Sequence, residues 1–333
     1  MLNVAVIGAG YIGLLHAKAV KDSDKLNLVA LAERNQEVGI KAADDFGCKW
    51  FADAEEMLQS EDIDIVDICL PTFLHEEYAL LAARYKKHIL CEKPVALSVE
   101  SFDRMTEAAN RAGVKMMVAQ VVRFWHEYAD IKNRYEQGEF GKVKMVYANR
   151  LAQHPTWTNW MRNPKMSGGG LYDLHTHDVD YMRYIFGPAE SVYAVGYKND
   201  FGCWNHVISS ITFKNGVKAV CEGAYEMTEN FPFNMYFRIT GSDKTAEYQL
   251  KAGLNIKDGD QTRQEIIFET GKEPQVYTKE EYPDPYRDEI EYFADCVANG
   301  TDPETVPLYQ SREVLKMLAA INESLETGKV IYL

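Results

Sequence analysis

The chain has 333 residues, 46% hydrophobic and 26% charged, and its 50 Asp and Glu outnumber 36 Lys and Arg for a net charge of −14. That length favours two globular domains; no run approaches the roughly 18 apolar residues of a membrane span, and the apolar start lacks the basic segment of a signal peptide, so a cytoplasmic protein is expected. The acidic balance argues against nucleic acid and membrane surfaces as partners, since both are bound largely through phosphate neutralisation, and the six scattered cysteines, with no CxxC pair, read as buried thiols.

Residues Leu2 to Ile7 form a short apolar run, followed at once by GAGYIG and then by LLHAKAVKDS with helical spacing. Strand, glycine turn and helix in that order are the context in which GxGxxG binds a dinucleotide. Gly8 makes the tight turn, Gly10 admits the pyrophosphate, and Gly13 lets helix and strand pack closely. Tyr11 and Ile12 open the helix, whose free N–H groups face the phosphates. The pattern also asks for an acid about 20 residues on, at the end of a second strand. LNLVALAERN supplies Glu33, which repels a 2′-phosphate and favours NAD. Arg34 beside it keeps NADP open, because an arginine can stack on adenine or bind that phosphate.

Strands at 64–70, 87–94 and 114–120 then alternate with helices from about Glu76 and Val99. Near-continuous apolar strands between helices predict a parallel sheet covered on both faces, a Rossmann domain over residues 1–120. Ligands bind at the carboxyl edge of such sheets. Pro71, Thr72 and His75 of PTFLH and Glu92 and Lys93 of EKP are therefore expected along the cofactor.

The segment SGGGLYDLHTHDVD, residues 167–180, admits three readings: a metal site, an acid/base pair, or a polar helix start. Read as one helix, it places Asp173, His177 and Asp180 on one face, and His175 and Asp178 on another. Histidines two apart on a helix point to different faces, and no third follows at useful spacing, so no metal is expected.

Together VIGAGYIGLLHAKAV, PTFLH, CEKP, SGGGLYDLHTHDVDYMRYIFG and DPYRDEIEYFADCVANG resemble the Gfo/Idh/MocA oxidoreductases, a family that includes glucose-fructose oxidoreductase and inositol dehydrogenase. The resemblance spans nearly the whole chain. It implies a second, α+β domain over 121–333, with a large open, mostly antiparallel sheet whose exposed face mediates a homodimer or homotetramer. Alternating segments at 142–153, 191–199, 206–215, 216–227 and 233–241 agree, divided by Gly and Asn turns. Helical stretches follow at 285–298 and 308–325, and KVIYL reads as a closing strand.

The resemblance further implies an NAD(P)-dependent dehydrogenase acting on a secondary hydroxyl of a sugar, sugar derivative or cyclitol. Its catalytic residues are Lys93, Asp173 and His177, with a cis bond before Pro94. Oxidising an alcohol requires a base that titrates near neutrality. His177 fits as general acid/base, Asp173 as the carboxylate that orients it, and Lys93 as the group that polarises the reacting oxygen. Trp125, Trp157, Trp160 and Tyr172 offer aromatic faces to a sugar ring, and Arg123, His126, His154, Asn159 and Tyr286 offer hydroxyl contacts. Among these, Arg123, Trp160, Tyr172, Tyr286 and also His175 are the expected substrate residues; His175 stands where the family usually has a small side chain. Two other readings keep the fold: a glycosidase that works through transient oxidation, and a noncatalytic sensor, which would be expected to lose the lysine and histidine.

Overall fold

The computed structural model describes residues 1–154, 159–253, 262–278 and 283–333. Two compact units divide them, one of Met1–Phe124 with Pro283–Arg312 and one of Trp125–Tyr282 with Glu313–Leu333.

Unit 1 is built on six parallel strands, β1 (Leu2–Ile7), β2 (Leu26–Ala32), β3 (Lys49–Phe51), β4 (Ile65–Ile68), β5 (His88–Glu92) and β6 (Met116–Ala119). They lie in the order β3-β2-β1-β4-β5-β6, the Rossmann order, with its reversal between β1 and β4. The helices are α1 (Tyr11–Lys21), α2 (Gln36–Phe46), α3 (Ala54–Ser60), α4 (His75–Arg84) and α5 (Val99–Ala112). β4 and β6 are buried at every residue, which is why both read as continuous apolar runs. Local chemistry marks the helix ends: Asn35, Asp53 and Ser98 accept the first free N–H groups of α2, α3 and α5, and Gly47 and Gly113 take left-handed conformations after α2 and α5.

The structure corrects the expected domain boundary. The first unit runs to Phe124 rather than 120, and residues 283–312, assigned by sequence to the second domain, belong to the first. The physical reason is the helix Pro285–Asn299, which packs on α1 and β5 and buries Tyr286, Ile290 and Phe293.

Unit 2 carries α6 (His126–Glu136), β7 (Met145–Gln153), the short helices α7 (Pro164–Ser167) and α8 (Gly169–Asp173), and α9 (Thr176–Phe186). Its further strands are β8 (Ala189–Lys198), β9 (Trp204–Phe213), β10 (Lys218–Met227), β11 (Asn234–Thr240), β12 (Lys244–Lys251), β13 (Thr262–Glu269), β14 (Gln275–Tyr277) and β15 (Ile331–Tyr332). They form a nine-stranded sheet in the order β14-β13-β12-β11-β7-β10-β9-β8-β15. Among the described residues of this sheet only the β7–β10 pair is parallel. One face is sealed by aromatic packing: Tyr128 of α6 and Tyr181 of α9 meet each other edge to face, 4.7 Å apart, and both rest on Phe237 of β11. Among the described residues no helix is long and apolar enough to cross a membrane, and all six cysteines are free thiols.

Candidate active site

In unit 1 the three glycines are required for three different reasons. Gly8 has φ +101°, and a Cβ there would stand 2.5 Å from the Cys69 carbonyl oxygen. One at Gly13 would stand 1.9 Å from the Gly8 carbonyl oxygen, so only glycine lets α1 pass so close to its own turn. A Cβ at Gly10 would meet nothing within 4 Å, and the first turn of α1 has no side-chain cap. Open space before uncapped N–H groups is what a dinucleotide's diphosphate needs, and Tyr11 and Ile12 sit beside it. Glu33 directly follows β2 with its carboxylate turned back on this loop, accepting the N–H of Ala9 at 2.9 Å and of Asn35 at 2.8 Å. Arg34 is exposed and donates to the Tyr78 hydroxyl at 2.9 Å.

The strand ends β4 and β5 supply the other wall. Pro71 precedes a single turn, Thr72–Leu74, with Thr72 buried. His75 was expected on the cofactor, and the structure corrects this. It is 1% exposed, its ring nitrogens lie 2.7 Å from the Leu70 carbonyl and 3.1 Å from the Pro94 carbonyl, and burial lowers its pKa. It is a buried brace between the loops that follow β4 and β5. The Lys93–Pro94 bond is cis. Lys93 is half-buried while Glu92, Pro94 and Val95 around it are buried.

Behind Lys93 lies a cluster the sequence reading passed over. His16 of α1, wholly buried, holds Asp67 through Nδ1 at 2.8 Å and Glu92 through Nε2 at 3.0 Å. The second contact is between charges rather than an in-line hydrogen bond. Burial opposes a charge on the ring, but Asp67, with the Cys69 sulfur beside it, carries its pKa well above the ordinary value. The signals were present: His16 falls on the apolar face of α1, and Asp67 interrupts the apolar strand DIVDICL.

In unit 2 the acid/base segment is not one helix. α8 ends at Asp173 and α9 starts at Thr176, with Leu174 and His175 between them still at right-handed helical angles. The single continuous helix expected for Asp173, His177 and Asp180 is thus corrected: at the break the His175 N–H reaches back five residues to the Gly170 carbonyl, and Asp180 is fully buried, while Gly168 and Gly169 lead into α8 at positive φ. Those glycines pack rather than open a path: a Cβ at Gly169 would lie 2.8 Å from Cys203, and the Gly170 N–H donates to Asn205 at 2.8 Å. Asp173 and His177 are half-buried, whereas Leu174, His175, Thr176 and Asp178 between and beside them are buried. Asp173 accepts a hydrogen bond from Tyr225 of β10. Tyr225 was not singled out by sequence, and its strand pattern alone would not reveal it.

His175 is corrected outright. It is 0% exposed, lies over Gly223, shares a 2.8 Å hydrogen bond between Nε2 and Ser209, and has its pKa lowered to about 3 by burial and by Arg150. It is a neutral packing group, out of a substrate's reach. Asp178 is likewise structural: 1% exposed, it meets the Arg150 guanidinium in a bidentate pair at 3.2 and 3.3 Å. Burial raises the Asp178 carboxyl and Arg150 only partly offsets this.

Two further substrate expectations are corrected. Arg123 is 3% exposed in unit 1 and donates to the Thr305 carbonyl and the Gln310 side chain, at 2.8 and 2.7 Å. Tyr286 is also buried in unit 1, its ring 5.6 Å from that of His16. Trp125 is core, donating to the Tyr248 hydroxyl at 2.9 Å. Trp160 and Tyr172 remain half-buried near α8, and His154 lies 3.4 Å from Asn205 there. His126 opens α6, and Asn159 is exposed just before the turn that carries Trp160. Trp157 lies outside the described residues.

Residues 2–120 match the model of an oxidoreductase family with an NAD-binding Rossmann fold, and residues 128–247 match that family's GFO/IDH/MocA C-terminal domain. The chain belongs to the Gfo/Idh/MocA oxidoreductases and is an NAD(P)-dependent enzyme of that class. Among similar proteins, a myo-inositol 2-dehydrogenase of Thermotoga maritima is 26% identical over all of this chain and 98% of its own. A D-xylose 1-dehydrogenase (NADP(+)) of Haloferax volcanii is 27% identical over 98% of each. The fold is shared with an aldose-aldose oxidoreductase of Caulobacter crescentus, solved with glycerol, at a TM-score of 0.87 and 22% identity, covering 100% of this chain and 99% of that one.

Proposed function

We propose that this enzyme moves a hydride between a nicotinamide and a secondary hydroxyl of a sugar, sugar derivative or cyclitol, with Lys93, Asp173 and His177 as its working residues. The observation that carries the reading is the pattern of burial. Lys93 in unit 1 and Asp173 and His177 in unit 2 are each half-open in stretches whose neighbours are buried. The nicotinamide, when bound, accepts or returns the hydride. Lys93 donates a hydrogen bond to the reacting oxygen and stabilises negative charge on it. His177 takes the hydroxyl proton, and returns it when the reaction runs toward reduction. Asp173 is kept in place by the Tyr225 hydroxyl and favours the protonated imidazole.

Glu33 makes NAD the preferred cofactor. Its carboxylate stands at the end of β2 beside the glycine loop, where a 2′-phosphate would be repelled. The enzyme works as a homo-oligomer through the open face of its nine-stranded sheet, where Tyr193, Val195, Tyr197 and Ile208 are exposed together on β8 and β9. Light scattering that finds only a 37.9 kDa species would refute that part.

The test of the activity is NADH or NADPH formation across inositols, pentoses and hexoses, followed by Lys93→Ala and His177→Ala. Each substitution is expected to lower kcat about 10²- to 10⁴-fold while NADH binding is kept. No turnover across the panel, or full activity of the Lys93 variant, refutes the reading.

A further inference from the structure

We propose that His16 is a positioning residue for Lys93, acting through Glu92, and so ties the helix of the glycine loop to the turn that carries the lysine. The inference rests on Lys93 having the role given above.

The geometry is a relay of shared carboxylate oxygens. Glu92 uses Oε1 for His16, at 3.0 Å, and Oε2 for the main-chain N–H of Lys93, at 2.9 Å. On the other side, Asp67 uses Oδ2 for His16, at 2.8 Å, and Oδ1 for the Cys69 thiol, at 3.5 Å. One ring thereby joins α1 to the carboxyl ends of β4 and β5. All three ionisable groups are buried, His16 and Asp67 completely and Glu92 to 5% exposure.

Burying three charged groups in a sheet core is expensive, and apolar residues of similar volume would stabilise such a core as well or better. What apolar residues would not supply is a fixed orientation for the Glu92 carboxylate, and with it for the backbone that carries Lys93. His75 braces the same turn from the other side at the Pro94 carbonyl. The turn is therefore held at consecutive residues, 92, 93 and 94, by groups that do not themselves face solvent. The other groups recorded against the ring are the Cys69 thiol, whose sulfur lies within 4.8 Å of it, and Tyr286 of the helix Pro285–Asn299. They complete the enclosure of His16 without replacing either carboxylate contact.

The experiment compares the full-length wild type with His16→Gln and His16→Gln/Asp67→Asn. The double variant also replaces the Asp67 carboxylate, so it leaves one buried carboxylate unmatched where the single variant leaves two. NADH titration by fluorescence is expected within threefold of wild type. The rate at which pyridoxal 5′-phosphate labels Lys93, read by peptide mass spectrometry after borohydride, is expected to change at least threefold. With NAD and myo-inositol or D-xylose, whichever supports turnover, kcat is expected to fall tenfold or more while KM stays within threefold. Unchanged labelling and kcat in folded variants overturn the proposal. In the wild type, ¹⁵N spectra are expected to show both ring nitrogens of His16 protonated at pH 6.5, where an ordinary histidine is half neutral, and a neutral ring there overturns it even if no variant folds. The labelling and the spectrum do not depend on turnover, so an inactive wild type would sink the proposed activity and leave this inference to be judged separately.

Discussion

Acidification should expose what His175 does. The side chain is fully buried, and its pKa is about 3 in the folded protein against 6.5 for an ordinary histidine. A depressed histidine pKa means that the unfolded chain binds the extra proton below pH 6.5 while the folded one refuses it. Stability from this group is complete above about 6.5 and is lost as pH falls through the window down to about 3. Each pH unit inside that window is worth about 1.4 kcal/mol, so going from pH 7 to pH 5 should cost roughly 2 kcal/mol through this residue alone. His175→Gln removes the titration. At pH 7 it should destabilise by about 1–3 kcal/mol, through the lost Ser209 bond and poorer packing over Gly223. At pH 5 the gap between variant and wild type should narrow by about 2 kcal/mol. Urea unfolding at the two pH values measures both numbers, and the imidazole C–H resonance follows the titration directly. An equal gap at pH 7 and pH 5, or a titration near 6.5, refutes the reasoning. Because the ring does not reach substrate, kcat of the variant should stay within threefold of wild type.

Three other substitutions test the remaining argument. Gly13→Ala forces a Cβ to within 1.9 Å of the Gly8 carbonyl, so NADH binding should weaken at least 100-fold, read by fluorescence titration. Asp178→Asn, which leaves the Arg150 charge buried, should cost about 3–5 kcal/mol, and Arg150→Met/Asp178→Leu should recover most of that in a thermal melt. Glu33→Gln should lower the preference for NAD over NADP at least tenfold, measured as the ratio of the two kcat/KM values.

The dinucleotide half of the protein was legible because its chemistry is local. Gly8 and Gly13 are fixed by backbone distances that any sequence with this turn must meet, Gly10 marks the open space before α1, and Glu33 follows from the length of the intervening helix and strand. The second half was less so. β12, β13 and β14 went unnoticed because KTAEYQLK, TRQEIIFE and QVY place polar residues along a half-exposed sheet, where the apolar alternation is diluted. His175 misled because a buried histidine and a catalytic one look alike in a string of letters. What distinguishes them is Gly223, 48 positions on, whose missing side chain makes room for the ring. Arg123 and Tyr286 were misplaced for a related reason: both sit close in sequence to motifs, but their partners come from the returning segment or from α1.

That returning segment has a consequence for how the protein is made. Arg123 closes a contact across 182 positions, donating to Thr305, and the single turn it belongs to packs on the helix Pro285–Asn299. The nucleotide fold is the first part of the chain to be synthesised, yet it lacks this helix until almost the whole second unit has been produced. During synthesis its α1 face, with His16 on it, stays uncovered until the chain has passed through most of the inserted unit, so the domain that starts first cannot close before much of the other has been made.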